Sequence, residues 1–305
     1  MVLVLSEPIR VPLIPDCAPC IMGTMKILIP LLTGDEKEQA GYFALVYRML
    51  SEGYAERINP APLSVRIYRE IYSKAGVEDP FREIKRISKD AALEAFPAIE
   101  HRIESLQGYQ KLRACIASAI AGNVIDFSTT GHDPELDRLV EIFDEIMEEG
   151  FAVDASESLW KSMTSKTGKL VFLADNAGEV IFDIPLLRLF NDMKWSVTYV
   201  VKGKAMINDA IREDVLGTEI KELASIADTG AWALGVPPEY VSEEFLELVE
   251  TSDLVISKGQ ANIETFPEIQ ERYNIETYYI TRAKCPHISR AVGAKKGDSV
   301  VIRQL

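Results

Sequence analysis

Short apolar runs in the second half of the chain constrain the fold more than any other feature of the sequence. These runs recur after residue 165, and stretches with helical spacing separate them. Apolar runs without polar alternation are typical of strands covered on both faces, and strands that alternate with helices indicate βαβ units. The sequence therefore predicts an α/β fold with a mainly parallel sheet. The predicted strands are residues 169–174, 196–201, 254–257, 277–281 and 299–303.

The first half of the chain has a different pattern. Its apolar residues recur at the spacing of helix faces, and no strand-like alternation stands out before residue 165. We therefore predict a mostly helical N-terminal domain over residues 1–165 and an α/β domain over residues 166–305. The predicted helices of the first domain are residues 35–51, 62–75, 91–106, 109–121 and 136–147.

Composition excludes several classes of protein. The 305 residues carry 33 Lys and Arg against 47 Asp and Glu, a formal net charge of −14. This balance argues against nucleic acid as the partner, since Lys and Arg hold phosphate backbones. An apolar fraction of 47% can form a sizeable core and excludes global disorder. No apolar stretch reaches about 18 residues and no signal-peptide pattern is present, so we expect a cytoplasmic protein without a membrane span.

Polar residues follow each predicted strand. In open parallel α/β sheets, ligands bind just beyond the carboxyl ends of the strands, so these turns are the first place to look for a site. Together they collect carboxylates, carboxamides and several cations at one edge of the sheet. The turns are residues 175–179, residues 202–204 with Asn208 and Asp209, residues 258–264, and residues 282–285.

The chemistry of these turns indicates a divalent metal ion and an anion. Asp175, Asn176 and Asp209 offer oxygen ligands, the type that Mg²⁺ and Mn²⁺ prefer. Lys258 and Lys284 can bind phosphate oxygens as point charges. Because no Ser or Cys has an evident activating His partner, a metal-bound water is the simpler nucleophile.

Each of these residues also has a structural interpretation. Asp175 and Asn176, or Asn208 and Asp209, can serve as caps of the helices that follow them. A Lys-Gly pair is often only a strand-to-helix turn, and a single lysine is more often solvated. The occurrence of all four features at the ends of successive strands favours a site.

The cysteines leave several interpretations open. Cys17 and Cys20 form a CxxC motif, which is half of a zinc site, a redox pair or a structural feature. Cys285, followed by His287, can supply further ligands for a composite second metal site. Cys115 lies on an apolar helical face and is predicted to belong to the core.

The motifs together resemble the damage-control phosphatases, the family catalogued as domain of unknown function eighty-nine. Their order and spacing match from Cys17 to Cys285, and the CxxC motif resembles the prokaryotic branch of the family. The matching segments are DCAPC at 16–20, AGNVID at 121–126, DNAGE at 175–179, NDA at 208–210, SKGQANIE at 257–264 and TRAKC at 281–285.

The resemblance implies a Rossmann-like C-terminal sheet flanked by helices, together with a mostly helical N-terminal part. It also implies a metal-dependent phosphatase that hydrolyses small phosphate esters, such as sugar phosphates or damaged phosphometabolites, by attack of a metal-bound water. The expected cofactor is a divalent metal ion, namely Mg²⁺, Mn²⁺, Co²⁺ or Ni²⁺. The expected partner is a small phosphorylated metabolite.

By motif position, the resemblance assigns the metal ion to Asp175, Asn176 and Asp209. Asp175, Asp209 and Lys284 would be catalytic: either carboxylate orients the attacking water and accepts its proton, and the ammonium stabilises the phosphoryl charge. Lys258 is added to the substrate contacts from its charge and position alone. The predicted contacts are Asn123, Asp126, Asn176, Glu179, Lys258, Gln260, Ala261, Asn262, Ile263, Glu264 and Lys284.

Two other functions remain compatible with the sequence. A Rossmann-like domain permits an S-adenosylmethionine-dependent carboxyl methyltransferase, although the first loop here is not glycine-rich and the cations suit phosphate better. A non-catalytic phosphometabolite-binding protein could use the same pocket. Binding of S-adenosylmethionine without metal would indicate the first, and binding without turnover the second.

Overall fold

The structure of the protein, a computed structural model, describes residues 4–5, 9–123 and 138–305. These residues form one eight-stranded sheet and thirteen helices. The strands are β1 (Val4–Leu5), β2 (Val153–Asp154), β3 (Lys169–Leu173), β4 (Ser196–Val201), β5 (Ser225–Asp228), β6 (Leu254–Lys258), β7 (Thr277–Arg282) and β8 (Ser299–Gln304). The helices are α1 (Cys17–Leu32), α2 (Glu36–Glu56), α3 (Pro60–Ala75), α4 (Arg82–Glu104), α5 (Gly108–Gly122), α6 (Leu139–Glu149), α7 (Ser156–Ser165), α8 (Val180–Asp192), α9 (Arg212–Leu216), α10 (Ile220–Leu223), α11 (Glu243–Glu250), α12 (Gln260–Tyr273) and α13 (Pro286–Ala291).

The order of the strands creates a switch point in the middle of the sheet. The order is β1-β8-β7-β6-β3-β4-β5, with β2 also paired to β8. Every pair is parallel except β7 with β8. From β3 the chain first adds strands on one side and then returns to add β6 on the other. Ligands bind beyond the carboxyl ends of the strands at such a point, so the loops after β3 and β6 are favoured as a site.

The predicted fold class, a mainly parallel α/β sheet with a mostly helical N-terminal part, is confirmed. Three short strands were missed in the sequence. β1 and β2 have two residues each, too few to show alternation, and the residues of β5 are partly or fully exposed at the edge of the sheet. The domain boundary at residue 165 stays a prediction, and one apolar core includes residues from both sides of it.

Close packing between two helices brings the end of the helical part to the sheet. Small buried residues such as Ala117 and Ala121 let α5 approach α8, and Ser118 Oγ donates a hydrogen bond to the carbonyl of Phe182, 3.0 Å away. Phe182 in turn meets Phe96 of α4 edge to face. This packing fixes the position of Asn123, which follows the last residue of α5. No helix among the described residues is both long and apolar enough to span a membrane.

Candidate functional site

Backbone pairing brings the three predicted metal ligands together. The Ala210 N–H donates to the Asp175 carbonyl at 2.8 Å, and the Ala177 N–H donates to the Asn208 carbonyl at 2.9 Å. Asn176 and Asp209 face each other in an isolated antiparallel bridge. Asp175, Asn176 and Asp209 are buried, with no more than 8% of each residue exposed. The loop after β3 and the segment before α9 therefore form one unit. The sequence analysis predicted that both would lie at the same edge of the sheet.

Two amides hold the Asp175 carboxylate in place. Asn123 Nδ2 donates to Asp175 Oδ2 at 2.8 Å and to Glu179 Oε1 at 2.7 Å. Asn176 Nδ2 donates to the same two oxygens, at 3.3 and 2.5 Å. Since both amides turn their nitrogens toward the carboxylates, their carbonyl oxygens point elsewhere. Asn123 Oδ1 is buried and accepts no hydrogen bond from the described part of the chain.

A second group of buried charges lies behind these residues. Lys258 Nζ is 2.9 Å from Glu179 Oε2 and 2.7 Å from Asp183 Oδ1, and the Tyr199 hydroxyl donates to Asp183 at 2.7 Å. Burial opposes the charge on Lys258, but the attraction of Asp183 and Glu179 outweighs it and raises the pKa of the ammonium. The sequence predicted a phosphate contact for Lys258, whereas the structure places its ammonium fully buried against two carboxylates.

Lys202 is a buried cation close to one of the predicted metal ligands. Its Nζ lies 3.8 Å from Asp209 Oδ2 and donates to the Gly235 carbonyl and to Asn262 Oδ1, both at 3.1 Å. Burial lowers the pKa of Lys202, and the charges of Asp209 and Asp175 oppose this shift. Lys202 was not among the predicted site residues. Its position as the first residue after β4 was the feature of the sequence that could have indicated it.

Gly259 makes room for the Asp175 carboxylate. It has a φ of +86°, a conformation that glycine adopts without strain, and it precedes the first residue of α12. A Cβ at this position would lie 2.1 Å from Asp175 Cγ. The absence of a side chain therefore allows the start of α12 to pack directly against the carboxylate.

A cavity of about 150 Å³, which we call the carboxylate cavity, opens onto these groups. Its wall combines the sheet loops with α1 and α3. Gln260 Oε1 accepts the Lys284 N–H at 2.9 Å, which fixes the start of the segment that carries the lysine. The lining residues are Cys20, Ile21, Thr24, Ser64, Tyr68, Asn123, Asp175, Asn176, Ile207, Asp209, Leu234, Gln260, Ala261, Glu264 and Lys284.

Four other predicted contact residues support the wall instead of lining it. Glu179 and Lys258 are fully buried behind Asp175. Asn262 Nδ2 donates to the carbonyls of Ala174 and Lys258, and Ile263 lies in the apolar core. Their side chains are therefore occupied by the protein itself. Asp126 lies outside the described residues.

The helical part supplies wall residues that the sequence did not single out. Thr24 of α1 and Ser64 of α3 are buried polar side chains, and Tyr68 lies one turn beyond Ser64. A weak signal existed, because Thr24 and Ser64 interrupt buried helix faces whose other residues are mostly apolar or aromatic. Nothing local in the sequence shows which strand end such a helix face meets.

Glu264 has an unusual environment for a carboxylate. It is partly exposed, and it lines the carboxylate cavity. Burial is the cause that raises its pKa to about 8. Burial therefore favours the protonated form of this side chain.

Three cysteines meet in a second cavity, which we call the thiol cavity. It has a volume of about 320 Å³, and Cys17, Cys20 and Cys285 all line it. Burial raises the pKa of Cys17 and of Cys285, which keeps both thiols protonated at neutral pH. None of the four cysteines forms a disulfide bond, and Cys115 is buried in the core as predicted.

The two predicted metal sites, one at the cysteines and one at the sheet edge, differ in which ligands the structure brings together. No group of three or more His, Cys, Asp or Glu side chains is placed to hold a metal ion within residues 9–123 and 138–305. The predicted composite site of Cys17, Cys20 and Cys285 is thus not assembled in this part of the chain. The set of Asp175, Asn176 and Asp209 depends on two carboxylates and an amide instead.

Comparison with known proteins gives matches along nearly the whole chain. Residues 13–300 match the family described as Damage-control phosphatase ARMT1-like domain. The chain is 30% identical over 291 residues to the uncharacterized protein MJ0202 of Methanocaldococcus jannaschii, covering 95% of each. It is 29% identical to the damage-control phosphatase PH1575 of Pyrococcus horikoshii, covering 94% of this chain and 96% of the relative.

A third relative and a solved structure agree with this result. The chain is 28% identical to a damage-control phosphatase of Archaeoglobus fulgidus, covering 94% of this chain and 97% of the relative. It is similar to the crystal structure of the DUF89 family protein PH1575 from Pyrococcus horikoshii, with a TM-score of 0.82 and 28% identity. That match covers 96% of this chain and 99% of the other. The protein belongs to the damage-control phosphatase ARMT1-like family.

Proposed function

We propose that this protein is a metal-dependent phosphatase that hydrolyses small phosphate esters. The observation that carries the proposal is that Asp175 and Asp209, two buried carboxylates, line the same cavity. The loops that carry them are held together by backbone hydrogen bonds. Two relatives with similar chain lengths are named damage-control phosphatases, which supports the same activity.

The donor set fits a hard divalent cation. Asp175, Asn176 and Asp209 offer oxygen atoms, and Asn176 directs its amide nitrogen toward neighbouring carboxylates, leaving its oxygen for another partner. Oxygen donors suit Mg²⁺ and Mn²⁺ better than Co²⁺ or Ni²⁺. When bound, such a cation polarises the phosphoryl group and lowers the pKa of a water molecule.

The protein's own side chains then have distinct tasks. Lys284 neutralises the phosphoryl oxygens as a point charge, and the start of α12 adds the positive end of a helix dipole. Asp175 or Asp209 orients the attacking water and accepts its proton. Asn123 is a positioning residue, because it holds Asp175 through a 2.8 Å hydrogen bond.

The walls from the helical part complete the site. Thr24, Ser64 and Tyr68 bring hydroxyl groups to the cavity, where they can donate hydrogen bonds to a phosphate or to the alcohol part of an ester. Since these residues lie on α1 and α3, the fit of a substrate depends on how the helices pack above the sheet.

The test is phosphate release from a panel of small phosphate esters. The protein is stripped with EDTA, and Mg²⁺, Mn²⁺, Co²⁺ or Ni²⁺ is added back singly. We expect release that needs a divalent ion, is strongest with Mg²⁺ or Mn²⁺, and disappears in Asp175→Asn. Asp192→Asn serves as the matched control, because Asp192 is exposed at the end of α8.

The same experiment separates the other functions. A folded protein that binds the metal and the ester but releases no phosphate with any ion would be a binding protein. Binding of S-adenosylmethionine by the EDTA-treated protein, together with no phosphate release, would favour a carboxyl methyltransferase.

A further inference from the structure

The thiol cavity adjoins the carboxylate cavity. The two share seven wall residues, namely Cys20, Ile21, Ser64, Leu234, Ala261, Glu264 and Lys284. Another cavity beside α12 shares only Glu264 with the carboxylate cavity. Of these two neighbours lined by described residues, the thiol cavity therefore offers more space that is continuous with the carboxylate cavity for the rest of a ligand whose phosphate lies there.

The wall of the thiol cavity is mostly apolar. Val11 and Ile14 precede α1, Ile21 lies on α1, Ala61 on α3, Leu234 follows β5, and Pro286 begins α13. A sugar placed here would lose water from its several hydroxyl groups and gain fewer partners than it has hydroxyls facing the apolar wall, which opposes binding. A hydrocarbon body gains about fourfold in affinity for each methylene group that it buries.

The acidic groups in this wall contribute little charge. Burial keeps the Cys17 and Cys285 thiols protonated, and protonated thiols behave as small hydrophobic groups. Glu264 offers one hydroxyl donor when it is protonated. Burial and the charge of Arg290 lower the pKa of His287, which favours its neutral form. Asp16 and Lys296 carry charge but are exposed, and the buried Lys284 lies in the part of the wall that is shared with the carboxylate cavity.

We propose that the thiol cavity binds the alcohol part of the substrate and selects phosphate monoesters of carbon-rich alcohols over sugar phosphates. This inference rests on the proposed phosphatase function and names its substrate class. A cavity of about 320 Å³ is at the lower end of small-molecule sites. At about 30 Å³ for each water-sized group, it holds an alcohol of about ten non-hydrogen atoms.

The first test compares three esters of primary alcohols, so that the reacting phosphate and leaving oxygen are alike. Ethyl phosphate is too short to fill the cavity, 2-phenylethyl phosphate fills it with carbon, and glucose 6-phosphate fills it with hydroxyl groups. With Mg²⁺ or Mn²⁺ present, we expect kcat/KM for the phenyl ester to exceed both others by about tenfold or more. Equal or better hydrolysis of glucose 6-phosphate would overturn the inference.

The second test fills the cavity from Cys17, which lines the thiol cavity but not the carboxylate cavity. Cys17→Phe should reduce the ratio of kcat/KM for the phenyl and ethyl esters by about tenfold or more. Cys17→Leu is the smaller substitution if the phenylalanine prevents folding. Leu31→Phe enlarges an exposed residue of the same helix and should leave the ratio as it is. An unchanged ratio in a folded Cys17 variant would contradict the assignment.

A binding measurement separates this inference from the phosphatase proposal. Calorimetry with 2-phenylethylphosphonate and ethylphosphonate needs no turnover. Tighter binding of the phenyl compound without phosphate release from any ester would reject the phosphatase proposal and keep the cavity assignment. Phosphate release with no preference in either rate or binding would reject the cavity assignment alone.

Discussion

Two groups of buried carboxylates lie side by side at the carboxyl edge of the sheet, and they differ in their access to a cavity. Glu179 and Asp183 are fully buried, and Lys258 contacts both at 2.9 Å or less. Asp175 and Asp209 line a cavity, and Lys202 Nζ lies 3.8 Å from Asp209 Oδ2. The first group is sealed inside the protein, whereas the second opens onto a cavity that an ion or a substrate can enter.

The comparison shows how similar side chains can serve structure in one place and chemistry in another. Asn123 and Asn176 join the two groups, since each donates to Asp175 and to Glu179. The sealed group thereby fixes the orientation of the open one. If this division is right, substitutions in the open group should reduce activity, and substitutions in the sealed group should reduce stability.

The largest expected effect is on activity in Asp175→Asn. Loss of one of two carboxylates at the proposed metal site should lower kcat on the order of 10⁴-fold, about 5 kcal/mol in the activation barrier. The free energy of unfolding in EDTA should stay close to that of the wild type, because one buried negative charge is removed. Full activity, or a large loss of stability, would contradict the division between the two groups.

The opposite result is expected for Lys258→Met. Its removal leaves Glu179 and Asp183 buried without their cation, which should lower the free energy of unfolding by about 3–5 kcal/mol. Urea denaturation measures this loss. The double variant with Asp183→Asn should be destabilised by less than the sum of the two single variants, because one unpaired charge disappears. Additive losses would mean that the pair does not interact as its geometry indicates.

A smaller effect is expected for Gly259→Ala, which crowds the open group. The new Cβ would meet Asp175 Cγ and the backbone would be strained at positive φ, so we expect kcat to fall about 10²-fold with a loss of about 1–3 kcal/mol in stability. Gly293→Ala is the matched control, because its φ is +70° and its Cβ would have no described atom within 4 Å. A similar fall in kcat for both variants would show that strain, and not crowding of Asp175, is responsible.

The same comparison explains how far the sequence could predict the site. That Asp175, Asn176 and Asp209 lie together could be predicted because parallel strands must end at one edge, so residues that follow neighbouring strands converge there. The burial of Lys258 could not, because its position at the end of β6 does not tell whether the side chain faces the cavity or the core. The neighbours that decide this, Glu179 and Asp183, lie 79 and 75 residues earlier in the chain.

The helical side of the site was harder to predict than the sheet side. Thr24, Ser64 and Tyr68 reach the cavity only through packing between helices and sheet loops, and helical periodicity carries no information on that long-range arrangement. The fold class followed from short-range patterns because an apolar run of five residues already indicates a buried strand. Strands of two residues, such as β1 and β2, have no comparable pattern.

The smallest expected effect concerns Glu264 in the wall shared by the two cavities. Because burial raises its pKa to about 8, the folded protein retains a proton that the unfolded chain has lost above its ordinary pKa near 4.5. The unfolded state then binds fewer protons, so stability is greatest at low pH in this range and falls as the pH rises toward 8. Water in the cavity screens the charge, so we expect a loss of about 1–2 kcal/mol between pH 5.5 and 8.

Urea denaturation in EDTA measures this decline. The wild type should show it, and Glu264→Gln should show a flatter profile. Glu268→Gln is the matched control and should decline like the wild type, because Glu268 is exposed and lies one turn further along α12. An equal slope in all three proteins would mean that Glu264 is ionised in the folded state, and that the wall between the cavities is charged.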